Sequence, residues 1–438
     1  MFGLSLFWRY NKRMHFRTHL YKKLRPPTKL AGLKDFFLTK FQWLGKFYTF
    51  LYHKIATDEY KGLIFAPFKA FLFILSVIYG FIIKILIAFY RIKPYRLDCK
   101  VISVGNLTLG GTGKTSLVEF IAKYLKQRGY KVAILTRGYK RKITSNDSRT
   151  TSHETMGDEP YMLFKRLGDI PVIIDADRIR AAKQAIRDYA VDMVILDDGF
   201  QQWRIKKDLE ILTIDATNPF GNRQLIPRGI LREPLSSLKR ADVFILTKTN
   251  IMPNVVNQAV SLRHPEATLQ RDTTFGNPDI QKIKDFLNSI NPRVAIIESV
   301  HKPVGFYRID KNDELLNTDI LRGKTVTLVS GIAEPGSFES LITSLDINIG
   351  LSFRFPDHHR YLESDLEKII KESKNKNINT VITTEKDAVR LSPYLLPTTY
   401  LPCRQAGYLL DFLVLRIELK MVKNEQEFLN RLLRLYNP

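Results

Sequence analysis

Short apolar runs alternate with helically spaced segments from residue 96 to the end of the chain. CKVISVG (99–105) reads as a buried strand, TSLVEFIAKYLKQRG (115–129) as a helix closed by Gly129, and YKVAILTRG (130–138) as the next strand. VDMVIL (191–196) and ADVFILTKTN (241–250) continue the series, and this βαβ order predicts a parallel sheet. The alternation restarts near residue 325 with KTVTLVSGI, a helix around SFESLITSL, the strand INTVITTEKD, and FLVLRIEL followed by EFLNRLLRLY. Residues 251–324 show no such period and read as an irregular connector or insertion, with HPEATLQRDTTFGNPD as a loop.

The N-terminal quarter is patterned differently. AFLFILSVIYGFII (70–83) carries no charge, and apolar character resumes after Lys84 as far as Tyr90. A full membrane span needs about 20 apolar residues. At about 100° per residue, Lys69, Ser76, Gly80, Lys84 and Arg91 share one narrow stripe, with the remaining face greasy. That predicts a helix lying in one leaflet, with a single crossing and a buried core helix as the competing readings. Residues 1–60 hold twelve Lys or Arg and three acids among many aromatic rings. Such mixing suits a lipid headgroup layer; an ordinary basic extension, or a true start at Met14 or later, accounts for it equally.

Composition narrows the classes. The chain of 438 residues is long enough for two cores. Its 68 basic against 44 acidic residues, net +24, suit nucleic acid, an anionic membrane or an acidic substrate. No nucleic-acid module is recognisable, so that reading rests on charge alone. Cys99 and Cys403 stand in no CxxC or Cys/His spacing, which argues for neither a disulfide framework nor a zinc site. No secretory signal is expected.

The chemistry concentrates in LTLGGTGKTS. TLGGTGKT matches G-x-x-x-x-G-K-[ST] except that Thr108 stands at the first glycine. Thr108, Leu109, Gly110, Gly111, Thr112, Gly113, Lys114, Thr115 and Ser116 are therefore the candidate nucleotide contacts, at a helix N-terminus that favours phosphate. Lys114 would reach the β and γ phosphates, and Thr115 would hold Mg²⁺. Asp197 and Asp198 follow VDMVIL, where a metal needs hard oxygen ligands. The strand-end TKTN lacks the aspartate of a guanine-reading N-K-x-D, which points to ATP.

SVGNLTLGGTGKTS, RGY (137–139), GDEP (157–160), DDGFQ (197–201), NPFGNRQLIPRGILREPLSSLKRAD (218–242), FPDHH (355–359) and TTEKDAVRL (383–391) together resemble the tetraacyldisaccharide 4′-kinase family, in order from about residue 60 onward. The resemblance implies an α/β fold. A P-loop NTPase-type parallel sheet carries a second, smaller α/β domain and an N-terminal membrane-associated helix. The residue patterns themselves divide the chain into a basic extension (1–60), to which the resemblance does not reach, the apolar helix (61–95), the nucleotide core (96–250), the connector (251–324) and the C-terminal domain (325–438). The resemblance also implies ATP with Mg²⁺ as cofactors, and phosphoryl transfer to the 4′-hydroxyl of tetraacyldisaccharide 1-phosphate. The place of action would be the anionic cytoplasmic face of the inner membrane, with no nucleic-acid partner. In the family the GDEP aspartate acts as base, assisted by the histidine of FPDHH; here these are Asp158 and His358, with His359 beside the latter. Asp197 and Asp198 would serve the metal, and Glu159, Arg178, Gln201, Gln202 and Glu233 would complete the site. The family usually has DDGFQH, so Gln202 stands where an imidazole could carry charge. A membrane-attached P-loop ATPase or switch without a lipid acceptor is the competing function. It explains the glycine loop but not the pairing of GDEP with FPDHH.

Overall fold

The computed structural model describes residues 65–138, 156–250, 279–309, 311–395 and 410–436. The basic extension, Tyr139 of RGY, the loop 264–278 and Cys403 lie outside them. The chain divides into two compact units, Met1–Leu72 and Phe73–Pro438; of the first, only residues 65–72 are described.

Helix α1 (Ala66–Ile92) carries the apolar segment. Ser76 and Gly80 of the expected polar stripe are buried in the second unit, while Lys84 and Arg91 are exposed. Ser76 Oγ donates to Leu225 O at 2.8 Å and accepts from Arg228 N at 2.9 Å, and Tyr79 Oη donates to Arg232 O at 2.8 Å. What faces outward instead is apolar: Phe73, Ile74, Val77, Ile78, Phe81, Ile82, Ile85 and Phe89 are all exposed.

After it run β1 (Lys100–Asn106), α2 (Lys114–Gln127), β2 (Val132–Thr136), α3 (Asp158–Leu167), β3 (Val172–Ile174), α4 (Arg178–Tyr189), β4 (Met193–Asp197), β5 (Leu209–Asp215) and β6 (Val243–Thr247). These strands pair in parallel in the order β6, β5, β1, β4, β2, β3. Strands β2, β4 and β6 are buried along their whole length, as expected where helices cover both faces. Local signals set the helix ends. Gly113 (φ 78°) opens α2 and Gly129 (φ 86°) follows its end, and Asp177 caps α4 by accepting from Ile179 N and Arg180 N.

The C-terminal part adds β9 (Thr325–Ser330), α6 (Pro335–Thr343), β10 (Asn348–Arg354), α7 (Glu363–Asn375), β11 (Thr380–Thr384), α8 (Glu385–Leu395), β12 (Asp411–Lys423) and α9 (Glu425–Leu433). Its strands β10, β9, β11 and β12 are again parallel.

The expected irregular connector is corrected over residues 279–324. It contains α5 (Ile280–Ile290), the 14-residue strand β7 (Ala295–Arg308) and β8 (Lys311–Leu316). The start of β7 runs parallel to β6, from Val243↔Ala295 to Leu246↔Glu298; its remainder pairs antiparallel with β12. Among the described residues, one strand thus joins the two parallel sets into a single 12-stranded sheet with an antiparallel seam. Its sequence hid this role: Glu298, His301 and Lys302 break the apolar run, because beyond Glu298 the strand leaves the parallel core. Arg166 of α3 also crosses the seam, reaching Glu119 of α2, Glu385 of α8 and Ile417 O of β12. Its guanidinium is held well above its usual range by those carboxylates, against the opposing effect of burial.

Candidate active site

The glycine loop leaves the carboxyl end of β1 and turns into α2, and a helix N-terminus following such a loop favours an anion. Gly110 and Gly111 are exposed, while Thr108, Thr112 and Thr115 are buried. Thr108, the departure from the glycine pattern, is accommodated because it bridges to Leu231 and its carbonyl accepts from Asn106 Nδ2 at 2.8 Å. Leu109 N donates to Ile230 O and Arg232 N to Leu107 O, each at 2.8 Å, so the segment that touches α1 also braces the loop. From below, Thr247 Oγ1 donates to Thr112 O at 3.1 Å.

Lys114, at the start of α2, is 3.4 Å from Asp198. Burial pulls its pKa down, and Asp198 opposes this. Asp198 adopts φ 54° just beyond β4 and is also gripped by Arg232 Nη1 at 2.9 and 3.0 Å. Those cations hold its carboxyl below the usual range against the effect of burial. Asp197, beside it, is pushed up to about 7 by burial and by the nearby charges of Glu159 and Asp198. A buried carboxyl facing two like charges is the environment a divalent cation would relieve. Among the described residues, no three His, Cys, Asp or Glu side chains could hold a metal alone. Thr115, phosphate oxygens and water would have to complete the shell.

Asp158 is the first residue of α3, after Gly157. His358 sits beyond β10 at φ 58°, its main-chain N–H on Gly331 O. Although 200 residues apart, the two meet: His358 Nδ1 is 3.3 Å from Asp158 Oδ2. Arg390 of α8 completes the group, donating from Nε to Asp158 Oδ2 at 2.7 Å and lying with Nη2 3.1 Å from His358 Nδ1. The ring nitrogen can serve one neighbour at a time: protonated it donates to Asp158, bare it accepts from Arg390. Burial raises the Asp158 pKa, but the His358 hydrogen bond and the Arg390 charge overcome it and set it at about 2. His359 turns away, to Asp365 at 2.9 Å.

Glu159 pairs with Lys386, which drives its carboxyl below the usual range. Arg178, 2 % exposed, donates to Asp175 O and, at 3.4 Å, to Asp197 O, with its Nε left without a partner. Glu233, fully buried, accepts from Gln201 Nε2 (3.2 Å), Trp203 Nε1 (3.1 Å) and Arg240 Nη1 (2.7 Å). It therefore supports the site from beneath. Gln202 shapes the turn after Asp198 through its main chain, donating to Gly199 O at 2.9 Å.

Sequence reasoning missed Arg390 and Arg232; of Lys386 and Asp387 in TEKD it offered two equal readings, an approach to the nucleotide or a strand-end turn. The available signal was helical spacing: in TTEKDAVRL, Lys386 and Arg390 are four apart, on one face of α8. Asp387 of the same motif is a buried anchor, accepting from Gly331 N, Tyr361 Oη and Thr384 Oγ1.

A family model described as tetraacyldisaccharide-1-P 4′-kinase matches residues 68–437. Among similar proteins, the tetraacyldisaccharide 4′-kinase of Halothermothrix orenii is 35 % identical over 346 residues, covering 74 % of this chain and 84 % of that one. That of Elusimicrobium minutum is 36 % identical, covering 76 % and 84 %, and that of Syntrophotalea carbinolica is 32 % identical, covering 84 % and 94 %. The crystal structure of LpxK from Aquifex aeolicus in complex with ATP superposes with a TM-score of 0.59 at 26 % identity, covering 84 % of this chain and 99 % of that one. With the family model spanning nearly all of the chain beyond residue 67, this protein belongs to the tetraacyldisaccharide-1-P 4′-kinase family.

Proposed function

We propose that this protein transfers the γ-phosphate of ATP to the 4′-hydroxyl of a tetraacylated disaccharide 1-phosphate, a lipid A precursor, at the cytoplasmic face of the bacterial inner membrane. The meeting of Asp158 with His358 carries this reading. A sugar hydroxyl is a poor nucleophile near neutral pH, and a base held ionised by Arg390 can accept its proton as the new O–P bond forms and the bond from the γ-phosphorus to the bridging oxygen breaks, releasing ADP. Asp158 is the proton acceptor, and His358 orients that carboxylate and shares the proton load. Lys114 and the loop N–H groups hold the phosphates, and Arg232, on Asp198, adds positive charge on the same side.

Mg²⁺ would be held by Thr115 and Asp197, with Asp198 beside them, and would supply charge neutralisation of the β and γ oxygens. Glu159 and Lys386 tie α3 to α8, and Arg178 positions the end of β4. We read residues 96–250 as the nucleotide core, and 325–438 as the layer that brings His358 and Arg390 to it.

A substrate with four acyl chains stays in the bilayer, so the enzyme has to work at its surface. The exposed apolar face of α1 supports one-leaflet embedding, and the net positive charge suits an anionic membrane. The test is transfer of labelled γ-phosphate from ATP to tetraacyl disaccharide 1-phosphate in detergent. Wild type labels the lipid, and Asp158→Ala loses about 10²–10⁴-fold in kcat. ATP hydrolysis by wild type without lipid labelling would defeat the proposal.

A further inference from the structure

On the far side of the glycine loop from Asp197 and Asp198 lies a second cluster of charged and titratable groups that the chemistry above leaves unused. Asp215 ends β5, Lys248 follows β6 at φ 58°, and His301 sits on β7 just past its parallel stretch. Lys248 forms a buried ion pair with Asp215, and Thr217 Oγ1 donates to the same carboxylate at 2.6 Å. Ser299 Oγ donates to Leu246 O at 3.0 Å and Thr249 Oγ1 to Ser299 O at 3.1 Å, which pins β7 against the end of β6. His301 then reaches the glycine loop, and a β-carbon placed on Gly113 would come within 3.0 Å of its Nε2. That nitrogen is buried and makes no hydrogen bond. An unpaired buried polar atom is destabilising, and a ligand that supplied a partner would remove that penalty.

The sheet order says which part of a nucleotide comes here. The loop follows β1, whose neighbours are β4 on one side and β5 on the other. Lys114 and Asp198 mark the γ-phosphate end, toward β4. The other end of the molecule must leave over the carboxyl ends of β5, β6 and β7, where ligands of open α/β sheets bind. We propose that His301, framed by the Asp215–Lys248 pair, forms the nucleoside subsite and hydrogen-bonds the adenine or ribose of the bound nucleotide through Nε2. This rests on the reading of ATP as the phosphoryl donor. Burial, with Lys248 close by, lowers the ring's pKa to about 4. The imidazole is therefore neutral at pH 7, suited to an uncharged hydrogen-bonding partner rather than to a phosphate.

Inorganic tripolyphosphate carries comparable phosphates without the nucleoside and makes the test selective. Binding of ATP and of tripolyphosphate is measured by calorimetry on the full chain in detergent, for wild type, His301→Leu and His301→Gln. His301→Leu keeps most of the volume and removes the nitrogen. It is expected to weaken ATP about tenfold, as for one lost hydrogen bond, and to leave tripolyphosphate within twofold. His301→Gln is expected to recover most of the loss. Equal weakening of both ligands would make His301 a brace for the loop and overturn the proposal, as would unchanged ATP affinity. A readout needing no variant is the His301 imidazole resonance of the wild-type chain. It is expected to shift with ATP and not with tripolyphosphate, and the reverse overturns the assignment. Because these measurements read nucleotide binding, a wild type that binds ATP without labelling lipid would fault the acceptor and leave this subsite standing.

Discussion

Arg390 donates from Nε to Asp158 Oδ2 at 2.7 Å across 232 residues of sequence. The same guanidinium holds Gly331 O at 3.0 Å and Asp387 at 3.1 Å, so one buried cation ties α3, the end of β9 and α8 to the proposed base. Removing a charge partner from such a group leaves buried acceptors unsatisfied, which costs more than the contact itself is worth.

A pH dependence follows. The folded-state pKa of Asp158, about 2, lies below the unfolded value of 3.8. Its contribution, about 2 kcal/mol, is therefore complete above pH ~4 and lost as pH falls toward 2. Arg390→Gln is expected to reduce that contribution and narrow the acid transition, measured by urea unfolding between pH 2 and 5. It is also expected to move the acid limb of the kcat profile upward. An unchanged acid limb would mean that Arg390 does not tune the base.

Asp197 behaves in the opposite sense. Its folded pKa, about 7, lies above the unfolded value, so between pH ~4 and 7 the native metal-free protein binds a proton that the unfolded chain releases. Stability is expected to fall across that range in EDTA, by about 4 kcal/mol at most. Added Mg²⁺ is expected to restore it increasingly as pH rises. Asp197→Asn is expected to flatten both effects in denaturant titrations; a wild-type profile already flat in EDTA would contradict the pairing of Asp197 with a metal.

Glu233 is predicted to matter through structure. Glu233→Ala would leave Arg240, itself 9 % exposed, with only the more distant Glu210 carboxylate at 3.9 Å, at a cost of about 1–3 kcal/mol. The denaturation midpoint should drop accordingly. Double substitution with Arg240→Leu should cost less than the sum of the two single changes, whereas strict additivity would show that the two side chains do not interact.

Phe81 and Phe89 of α1 are each 66 % exposed. Charged replacements at both, Phe81→Glu with Phe89→Glu, are expected to lower partition onto phosphatidylglycerol-containing vesicles by more than tenfold with an unchanged melting temperature. Flotation with vesicles reads this directly, and equal partition of variant and wild type would remove α1 from the membrane contact.

Much of this organisation was legible in the residues. The strand-to-helix run through TLGGTGKT, the acid pair after VDMVIL and the uncharged stretch 70–83 carry local signals: glycines that permit positive φ, buried apolar runs, and an absence of charge. Each depends on neighbours within a few positions, so the elements around Lys114, Asp197 and Phe81 follow from sequence alone. What depends on distant parts of the chain could not be read this way. Whether β7 extends a second sheet or closes the first depends on β12 pairing along it. Arg390 looks like any helical arginine until α8 packs on α3. His301 looks like a polar interruption of a strand until Gly113 arrives beside it. Chain order and residue type determined the elements and the candidate chemistry; only tertiary packing, which buries groups and pairs charges across long loops, decided which of those groups face one another.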